Sequence, residues 1–269
     1  MALDLLKRAL APIAPPALAA VDAEAARVLK LNLAGRRIVD FRGPHGWELA
    51  AVNTGRLAMH ADQPEGEVHF GIRQAQALVE ARVPIRLPIM ELDSIGRGAP
   101  DPDLRAVVAA AERVAHFEDA AIFNGLGAAG IVGIIPASPH HAHKLPPDVT
   151  HLPRAILTAR ETLRQAGIDG PYALALDTAY TAQVLAAAED GYPLSKRLTE
   201  EVLDGPLVRA PAIEGGVLLS VRGGDYELTV GQDLSIGYAT HDRQTVELYL
   251  TESFTFRVLE GAAAVRLAR

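Results

Sequence analysis

Apolar and polar residues alternate most regularly near the C-terminus, in the stretch from residue 231 to residue 259. Apolar side chains occupy every second position from Val246 to Leu250, and the alternation continues beyond Ser253 with a shift of register. This period of two, rich in β-branched and aromatic residues, indicates half-buried strands. The polar segment 239–244 separates two such runs. The sequence therefore predicts a β-ribbon here, which we interpret as scaffold.

The helical period of 3.6 residues is clearest in the middle of the chain. Apolar residues recur at this spacing over Asp103–Phe123, with Glu118 on the same stripe, and predict a long helix. Because strands and helices follow each other without a regular βαβ rhythm, the fold class is predicted to be α+β. The first twenty residues contain prolines and predict a proline-broken arm. Other helices are predicted over Val21–Leu33, which Gly35 would end, Leu152–Ala166, Thr178–Glu189 and Ser195–Leu203.

Two segments predict strands at the edge of the fold. Residues 52–57 and 67–73 form a predicted hairpin around a polar tip, with little apolar content for a strand pair that stands alone. Such a hairpin is often completed by a neighbouring chain. The run 83–92 is apolar at every second position but contains Pro84 and Pro88. Prolines confine a strand to an edge because they cannot donate a ladder hydrogen bond.

Composition places the chain among globular proteins and limits its partners. The chain has 269 residues and a hydrophobic content of 49%, which suffices for a sizeable core. The formal net charge of −7 argues against general nucleic-acid binding. The absence of cysteine rules out disulfides and thiolate metal sites, and no signal peptide or transmembrane segment is predicted. We therefore expect a cytoplasmic protein with no membrane or nucleic-acid partner.

The glycine-rich motif Gly125–Gly130 matches the dinucleotide-binding pattern G-x-G-x-x-G. That chemistry requires a strand before the motif and a helix N-terminus after it, so that backbone amides face a pyrophosphate. Here a predicted long helix precedes the motif, and Pro136 follows it and is expected to prevent a helix. We interpret the motif as a glycine-rich loop and predict no cofactor.

Other signals of catalysis or metal binding are weak. No Walker loop, G-x-S-x-G or H-E-x-x-H motif is present, so the chain is not predicted to be an enzyme. An alternative, ranked last, is a metal-dependent hydrolase that uses a histidine cluster. The cluster is interpreted as part of a flexible exposed loop, and its members are His140, His141, His143 and His151. Carboxylates that could form acid–base pairs lie at predicted caps, turns or helix ends, namely Glu91, Asp93, Glu118 and Asp119.

A series of short motif blocks runs through the chain in order: Leu-Ala-Gly-Arg-Arg-Ile-Val-Asp (33–40), Pro-His-Gly-Trp-Glu (44–48), Glu-Leu-Asp (91–93), Phe-Glu-Asp (117–119), Gly-Ile-Asp-Gly-Pro-Tyr (167–172), Tyr-Pro-Leu (192–194), Arg-Gly-Gly-Asp (222–225), Gly-Gln-Asp-Leu-Ser-Ile-Gly-Tyr (231–238) and Thr-Glu-Ser-Phe-Thr-Phe (251–256). Together these blocks resemble those of the encapsulin shell proteins, the linocin-type family. The similarity extends from one end of the chain to the other.

The resemblance implies a fold related to the HK97 phage capsid protein. It also implies self-assembly into a hollow icosahedral shell that encloses a cargo enzyme, commonly a dye-decolorising peroxidase or a ferritin-like iron-oxidising protein. Such cargo, linked to oxidative stress or iron storage, carries a C-terminal peptide that docks on the inner wall. The implied divisions are an N-terminal arm and helix with the start of the P-domain (1–49), the extended E-loop (50–82), the P-domain with its spine helix (83–135), the A-domain (136–221) and the C-terminal P-domain strands (222–269).

The resemblance also implies two functional sites. The cargo peptide is expected to dock between the N-terminal helix and the P-domain, and a second site, a loop, is expected to line a fivefold pore. The implied cargo-binding residues are Ala25, Leu29, Leu33, Arg36, Ile38, Val39, Asp40, Leu234, Ile236 and Tyr238. The implied pore-loop residues are Asp190, Gly191, Tyr192, Pro193 and Leu194.

Two further points follow from the resemblance. Some members bind flavin beside a tryptophan that lies just before the Glu-Leu-Asp block, but Met90 occupies that place here. Without an aromatic ring to stack on the isoalloxazine, no bound flavin is predicted. The second point is an alternative function, a viral major capsid protein of the same fold that packages a genome. A basic inner wall would favour that alternative, whereas the basic residues of this chain are scattered and outnumbered by acidic ones.

Overall fold

The computed structural model describes residues 4–59, 69–189 and 191–269. Its α-helices are α1 (Pro15–Asn32), α2 (Ile89–Gly96), α3 (Arg105–Asn124), α4 (Ile134–Ala137), α5 (Leu152–Gln165), α6 (Thr178–Ala186) and α7 (Leu194–Arg197), and a π-helix follows at Leu198–Leu203. The strands are β1 (Asp40–Arg42), β2 (Ala51–Met59), β3 (Gly71–Ala77), β4 (Val79–Pro88), β5 (His143–Lys144), β6 (Tyr172–Leu176), β7 (Ala188–Glu189), β8 (Tyr192–Pro193), β9 (Leu207–Arg209), β10 (Gly216–Ser220), β11 (Tyr226–Val230), β12 (Ser235–His241), β13 (Thr245–Val258) and β14 (Ala264–Ala268).

Strand β13 is the centre of a five-stranded sheet. β12 and β11 pair antiparallel with its first and second halves on one side, and β4 pairs antiparallel along the other side. β1 adds in parallel to β11. The predicted ribbon is therefore confirmed as the β12–β13 hairpin. The shift of register expected near Ser253 is wrong, because β13 pairs with β4 in an unbroken register from Thr245 to Phe254. What changes at Ser253 is the partner on the other side, from β12 to β11, and Ser253 bonds to Gln232 and Gly231 in the connection between them.

The prediction that this stretch is half-buried is wrong for the middle of β13. Every residue from Leu248 to Phe256 is buried, on both faces of the strand. The helices α1 and α3 cover one face. On the other face the Arg82 guanidinium lies 4.6 Å from the centre of the Tyr249 ring. A strand with neighbours on both sides and cover on both faces loses the exposed positions that alternation implies.

Strand β4 lies at an edge of this sheet, as its prolines predict. It pairs with β13, and the register places Pro84 opposite Tyr249 and Pro88 opposite Thr245. A proline at such a position cannot donate to β13, so its missing N–H must face outward. The chain then continues into α2, which replaces the strand predicted for residues 89–92.

Helices α1 and α3 pack against each other and against the sheet, and the predicted long helix is confirmed at Arg105–Asn124. Helix α1 begins at Pro15, earlier than predicted, because two prolines occupy its first turn rather than break an arm. The first turn of a helix tolerates proline, since its N–H groups have no helical partner. The shared core consists of residues from both helices and from β4, β12 and β13, including Ala17, Val21, Val28, Leu87, Val107, Val114, Leu248 and Leu250.

A second five-stranded sheet has the order β5-β14-β10-β6-β9 and forms most of the predicted A-domain. Helices α5 and α6 contribute Ile156, Leu163 and Val184 to its core. Strand β14, in the segment expected among the C-terminal P-domain strands, pairs with β10 instead. The end of the chain therefore belongs to the second sheet, and the combination of separate sheets and helices confirms the α+β class.

The predicted hairpin is present as β2 and β3, paired antiparallel. The residues of its tip, 60–68, lie outside the described residues, including the start of the predicted second strand. Residue 79 already belongs to β4, so the part of the predicted E-loop that leaves the body is shorter than 50–82. Two hydrogen bonds connect the base of the hairpin to the rest of the subunit. The Gln76 side chain donates to the Ala129 carbonyl (3.0 Å), and the Arg257 side chain donates to the Asn53 carbonyl (3.1 Å).

The glycine-rich motif forms a short 3-10 turn closed by a bridge between Leu126 and Ile131. The four-residue helix α4 follows it and contains Pro136, so the prediction that this proline prevents a helix is wrong. Pro136 is the third residue of α4, where no helical N–H bond is required. Within the described residues, no helix is long and apolar enough to cross a membrane.

Candidate functional site

Arg36 lies at the centre of a buried ionic cluster that joins four of the motif blocks. Its guanidinium contacts Glu118 (Nη2 to Oε2, 2.6 Å), Asp233 (Nη1 to Oδ1, 2.7 Å) and Glu252 (Nη2 to Oε2, 3.2 Å). The side chains of Glu118 and Glu252 are 0% exposed. The block after α1, the Phe-Glu-Asp block of α3, the turn before β12 and the Thr-Glu-Ser block of β13 therefore meet at one arginine.

One guanidinium does not balance the carboxylates packed around it. Burial, together with the neighbouring charge of Glu118, raises the pKa of Glu252 well above its ordinary value. The Glu252 Oε1 atom has no hydrogen-bond partner among the described residues. Burial also raises the pKa of Asp119, beside the cluster, to about 7, although amide hydrogen bonds oppose this shift. In the folded subunit the pKa values of both carboxyl groups are therefore raised, which favours protonation of this cluster relative to the unfolded chain.

Raising the pH is expected to destabilise the subunit through Glu252. The folded state holds a proton there that the unfolded chain releases near the ordinary value of 4.5. The associated stabilisation is complete below that pH and is lost as the pH rises towards the higher pKa of the folded state. Glu252→Gln mimics the protonated side chain, so its thermal midpoint should depend less on pH between about 5 and 9 than that of the wild type. Parallel midpoint curves for the two proteins would contradict this assignment.

Asp119 fixes the turn that carries Arg36. Its carboxylate accepts hydrogen bonds from the backbone N–H groups of Ala34 (2.9 Å) and Gly35 (2.8 Å). Gly35 does not end α1 as predicted, because α1 ends at Asn32 and Gly35 begins a 3-10 turn. A Cβ atom at Gly35 would lie 2.5 Å from Ile122 Cδ1, so a side chain there would force the buried Ile122 to shift. Close packing on α3 therefore explains this glycine.

The predicted cargo-binding residues divide into two groups. Those of the first group share one core cluster between α1 and β12. Ala25, Leu29 and Ile236 are buried in it, and the half-buried residues at its surface, which we call the rim, are Leu33, Leu234 and Tyr238. Arg36 lies beside this rim, bonded to Asp233, and its guanidinium carbon is 5.2 Å from the centre of the partly exposed Phe41 ring. We call this strip between α1 and β12 the α1–β12 groove.

The second group lies elsewhere. Ile38 is buried in the other core, and Val39 packs against that core. The Asp40 carboxylate accepts a hydrogen bond from the Gly224 N–H (2.6 Å). All three line a separate cavity of about 150 Å³, together with Arg37 and Tyr226. The structure therefore does not bring Ile38, Val39 and Asp40 onto the same surface as the α1–β12 groove.

The predicted pore loop is the turn between β7 and β8. Asp190 lies outside the described residues. Gly191 has a φ of +81°, which favours glycine. The exposed Tyr192 donates its hydroxyl proton to Glu200 (3.0 Å), and Pro193 is exposed beside it. Leu194 is buried and begins α7, so it anchors the loop rather than lining an opening.

Two members of the histidine cluster are held by side-chain hydrogen bonds, whereas His141 and His151 are exposed as predicted. His140 Nε2 is 2.9 Å from the Ala262 carbonyl, and His143 lies in β5 with its Nε2 atom 3.0 Å from Thr162 Oγ1. The two rings are thus held by different elements, α5 and the segment before β14. Over residues 4–59, 69–189 and 191–269, no group of three or more side chains is arranged to hold a metal ion.

The ionic cluster was missed because its carboxylates were interpreted as ordinary residues of caps and helix ends. Glu118 and Asp119 instead lie inside α3 and are buried. For two of the carboxylates in the ionic cluster, the sequence did contain a sign of burial. Glu118 falls on the apolar stripe of α3, and Glu252 falls on the alternation shared by Leu250 and Phe254. A charged residue in a buried register requires a partner of opposite charge, and Arg36 supplies it.

Comparison with known proteins finds similarity over nearly the whole chain. Residues 3–255 match the Linocin_M18 family, described as encapsulating protein for peroxidase. The chain is 44% identical over 268 residues to the type 1 encapsulin shell protein of Rhodospirillum rubrum, covering 97% of this chain and 95% of the relative. It is 42% identical over 263 residues to the type 1 encapsulin shell protein of Mycobacterium tuberculosis, covering 98% of each.

Solved structures agree on the fold. The virus-like particle from Pyrococcus furiosus aligns with a TM-score of 0.65 and 16% identity, over 92% of this chain and 97% of that chain. Mycobacterium phage Bobi aligns with a TM-score of 0.58 and 13% identity, over 88% of this chain and 90% of that chain. These neighbours have HK97-like capsid folds. The chain therefore belongs to the encapsulin family of shell-forming proteins.

Proposed function

We propose that shells of this chain enclose a cargo enzyme in the cytoplasm and have no catalytic activity of their own. The family description names peroxidase as the enclosed protein, and this supports a peroxidase as the cargo. A ferritin-like iron-oxidising protein is the other cargo class we propose. The relatives are named as shell proteins, which supports a structural role. The observation that carries the proposal is the identity of 44% to such a shell protein over nearly the whole chain.

The α1–β12 groove is the proposed docking place for the C-terminal peptide of the cargo. Its rim presents the half-buried apolar side chains of Leu33, Leu234 and Tyr238. Arg36 and the partly exposed Asp233 lie next to them as polar anchors. An extended peptide is recognised by apolar pockets with a few fixed polar groups, and the groove offers both.

Loading is expected to fail when Leu234 is replaced by aspartate. The substitution places a charge on the rim, where the peptide must bury apolar side chains, and should reduce co-purified cargo at least about tenfold. The measurement is cargo per shell after co-expression, with the cargo identified by mass spectrometry. Leu31→Asp is the matched control, because Leu31 lies on α1 but is exposed away from the rim.

The same experiment includes cargo that lacks its C-terminal peptide. Shells that still carry this truncated cargo would refute docking through the peptide, whatever the effect of the shell variants. If loading requires the C-terminal peptide but Leu234→Asp shells load normally, the peptide docks somewhere other than the α1–β12 groove.

The turn between β7 and β8 is proposed to line the fivefold pore, with Tyr192 and Pro193 as its exposed residues. The divisions into P-domain, A-domain and E-loop are likewise proposed, with β14 placed in the A-domain sheet. No feature of the described residues favours the alternative of a genome-packaging capsid. The phage neighbours share the fold at 13% identity, whereas the shell proteins share 44% of the residues.

A further inference from the structure

The N-terminal arm occupies the outer edge of β12. Successive residues of a strand point their backbone groups to opposite sides, and here Ile236 and Tyr238 point away from β13. The Tyr238 N–H donates to the Leu6 carbonyl (2.8 Å), and the Ile236 carbonyl accepts from Arg8 Nη1 (3.2 Å). The Tyr249 hydroxyl donates to the Leu5 carbonyl (3.1 Å). The arm therefore takes the place that a further strand would occupy.

Arg8 also spans the α1–β12 groove. The guanidinium that contacts β12 also forms an ion pair with Asp22 of α1, with Nη2 to Oδ2 at 2.5 Å and Nη1 to Oδ1 at 3.0 Å. The arm is thus attached to both walls of the groove that is proposed to receive the cargo peptide. The Arg8 and Asp22 side chains are 30% and 42% exposed, so solvent weakens this attachment.

The arm is held by few contacts. Its 3-10 turn, Arg8–Leu10, buries none of its residues, and Leu10 is 68% exposed. Lys7 has a φ of +52°, a conformation that a side chain disfavours. A segment with a few partly exposed hydrogen bonds and no buried side chain opens at low free-energy cost.

We propose that residues 4–10 form a displaceable strap over the α1–β12 groove, and that an extended cargo peptide displaces it to add as a strand along β12. The proposal rests on the proposed docking place. Addition of a strand to an open sheet edge gives affinity through the main chain and specificity through alternate side chains. Only subunits whose strap is displaced can bind the peptide. The apparent affinity for cargo is therefore the intrinsic affinity multiplied by the fraction of subunits in that open state.

The test uses assembled shells of the wild type, a variant lacking residues 2–12, and Arg8→Ala. A fluorescent protein carrying residues 4–14 of this chain at its C-terminus is co-expressed with each, and fluorescence per shell is measured. Shells that lack residues 2–12 should retain at least about tenfold more of this arm-tagged protein than wild-type shells do. This factor is what a few hydrogen bonds and one ion pair to the free edge of β12 would provide. Arg27→Ala is the matched control, because it removes an exposed ion pair with Glu24 on the same helix but leaves the arm untouched.

A second fluorescent protein carries the C-terminal peptide of the co-purified cargo, expressed at a limiting level. It should load about tenfold more into shells without the strap, with Arg8→Ala intermediate and Arg27→Ala equal to the wild type. The strap proposal would be wrong if the cargo-tagged protein loads equally into wild-type shells and shells lacking residues 2–12, or if the latter do not retain the arm-tagged protein. If the cargo-tagged protein enters none of the shells, the proposed docking function fails instead.

Discussion

Replacing both Leu57 and Ile72 by aspartate is expected to leave the subunit folded but unable to close into shells. The β2–β3 hairpin exposes large apolar side chains on both of its faces, since Leu57 lies opposite Arg73 and Ile72 lies opposite Ala58 in the register. Their exposed fractions are 57% and 60%, and Met59 and Phe70 are also exposed. A hairpin of this composition gains stability only when another surface covers it.

Each such side chain contributes about 1.5–3 kcal/mol when it is fully buried. An aspartate removes that contribution and adds the cost of burying a charge. Because every subunit of a closed shell repeats the same contact, the loss recurs throughout the assembly. Size-exclusion chromatography with light scattering should therefore find small species in place of shells, with an unchanged far-ultraviolet circular dichroism spectrum.

Gln74→Asp is the control for this experiment. It adds one negative charge to β3, the strand of Ile72, at an exposed polar position and should assemble normally. Shells of normal size from the Leu57/Ile72 double variant would show that the apolar faces of the hairpin do not hold neighbouring subunits together.

Arg36→Ala is expected to destabilise the folded subunit strongly. The change leaves Glu118 and Glu252 buried without their cation and frees Asp233. Removal of one partner from a buried ion pair typically costs about 3–5 kcal/mol, since the remaining charge is left without compensation. The variant should be recovered largely as insoluble protein, or should unfold at a much lower denaturant concentration than the wild type.

Two further variants distinguish the loss of the Arg36 ionic contacts from the general effect of removing an arginine. Arg27→Ala removes an exposed ion pair and should change stability by less than about 1 kcal/mol. In the Arg36→Ala background, Glu118→Gln should recover part of the loss, because it removes the buried carboxylate that Arg36 contacts at 2.6 Å. Equal stability of Arg36→Ala and Arg27→Ala would contradict the role assigned to the ionic cluster.

The elements that were predicted well are those in which local pattern and tertiary environment agree. The long helix α3 buries one consistent stripe, the two runs of the β12–β13 hairpin are separated by a polar turn, and the edge position of β4 follows from the missing N–H groups of Pro84 and Pro88. Local rules were less successful where tertiary packing decides. Gly35 reads as a helix cap but is required by Ile122, and both faces of β13 are covered by elements distant in the sequence.

The candidate site likewise combines residues that the sequence could place with residues whose position only tertiary packing decides. The resemblance implied one docking site, and the fold brings Leu33, Leu234 and Tyr238 of that set together beside α1 and β12, while their contact with cargo stays a prediction. It could not separate Ile38 and Val39 from them, since a turn of a few residues directs those side chains into the other core. The contact of the N-terminal arm with β12 depends on single backbone hydrogen bonds and leaves no pattern in the sequence.

The central claim is that this chain acts as one of many identical subunits of a closed shell. Cryo-electron microscopy of the purified protein, with native mass determination, tests it most directly. We expect uniform hollow particles with icosahedral symmetry, in which the β2–β3 hairpin of each subunit lies on a neighbour. Monomers or dimers at every concentration under native conditions would contradict it.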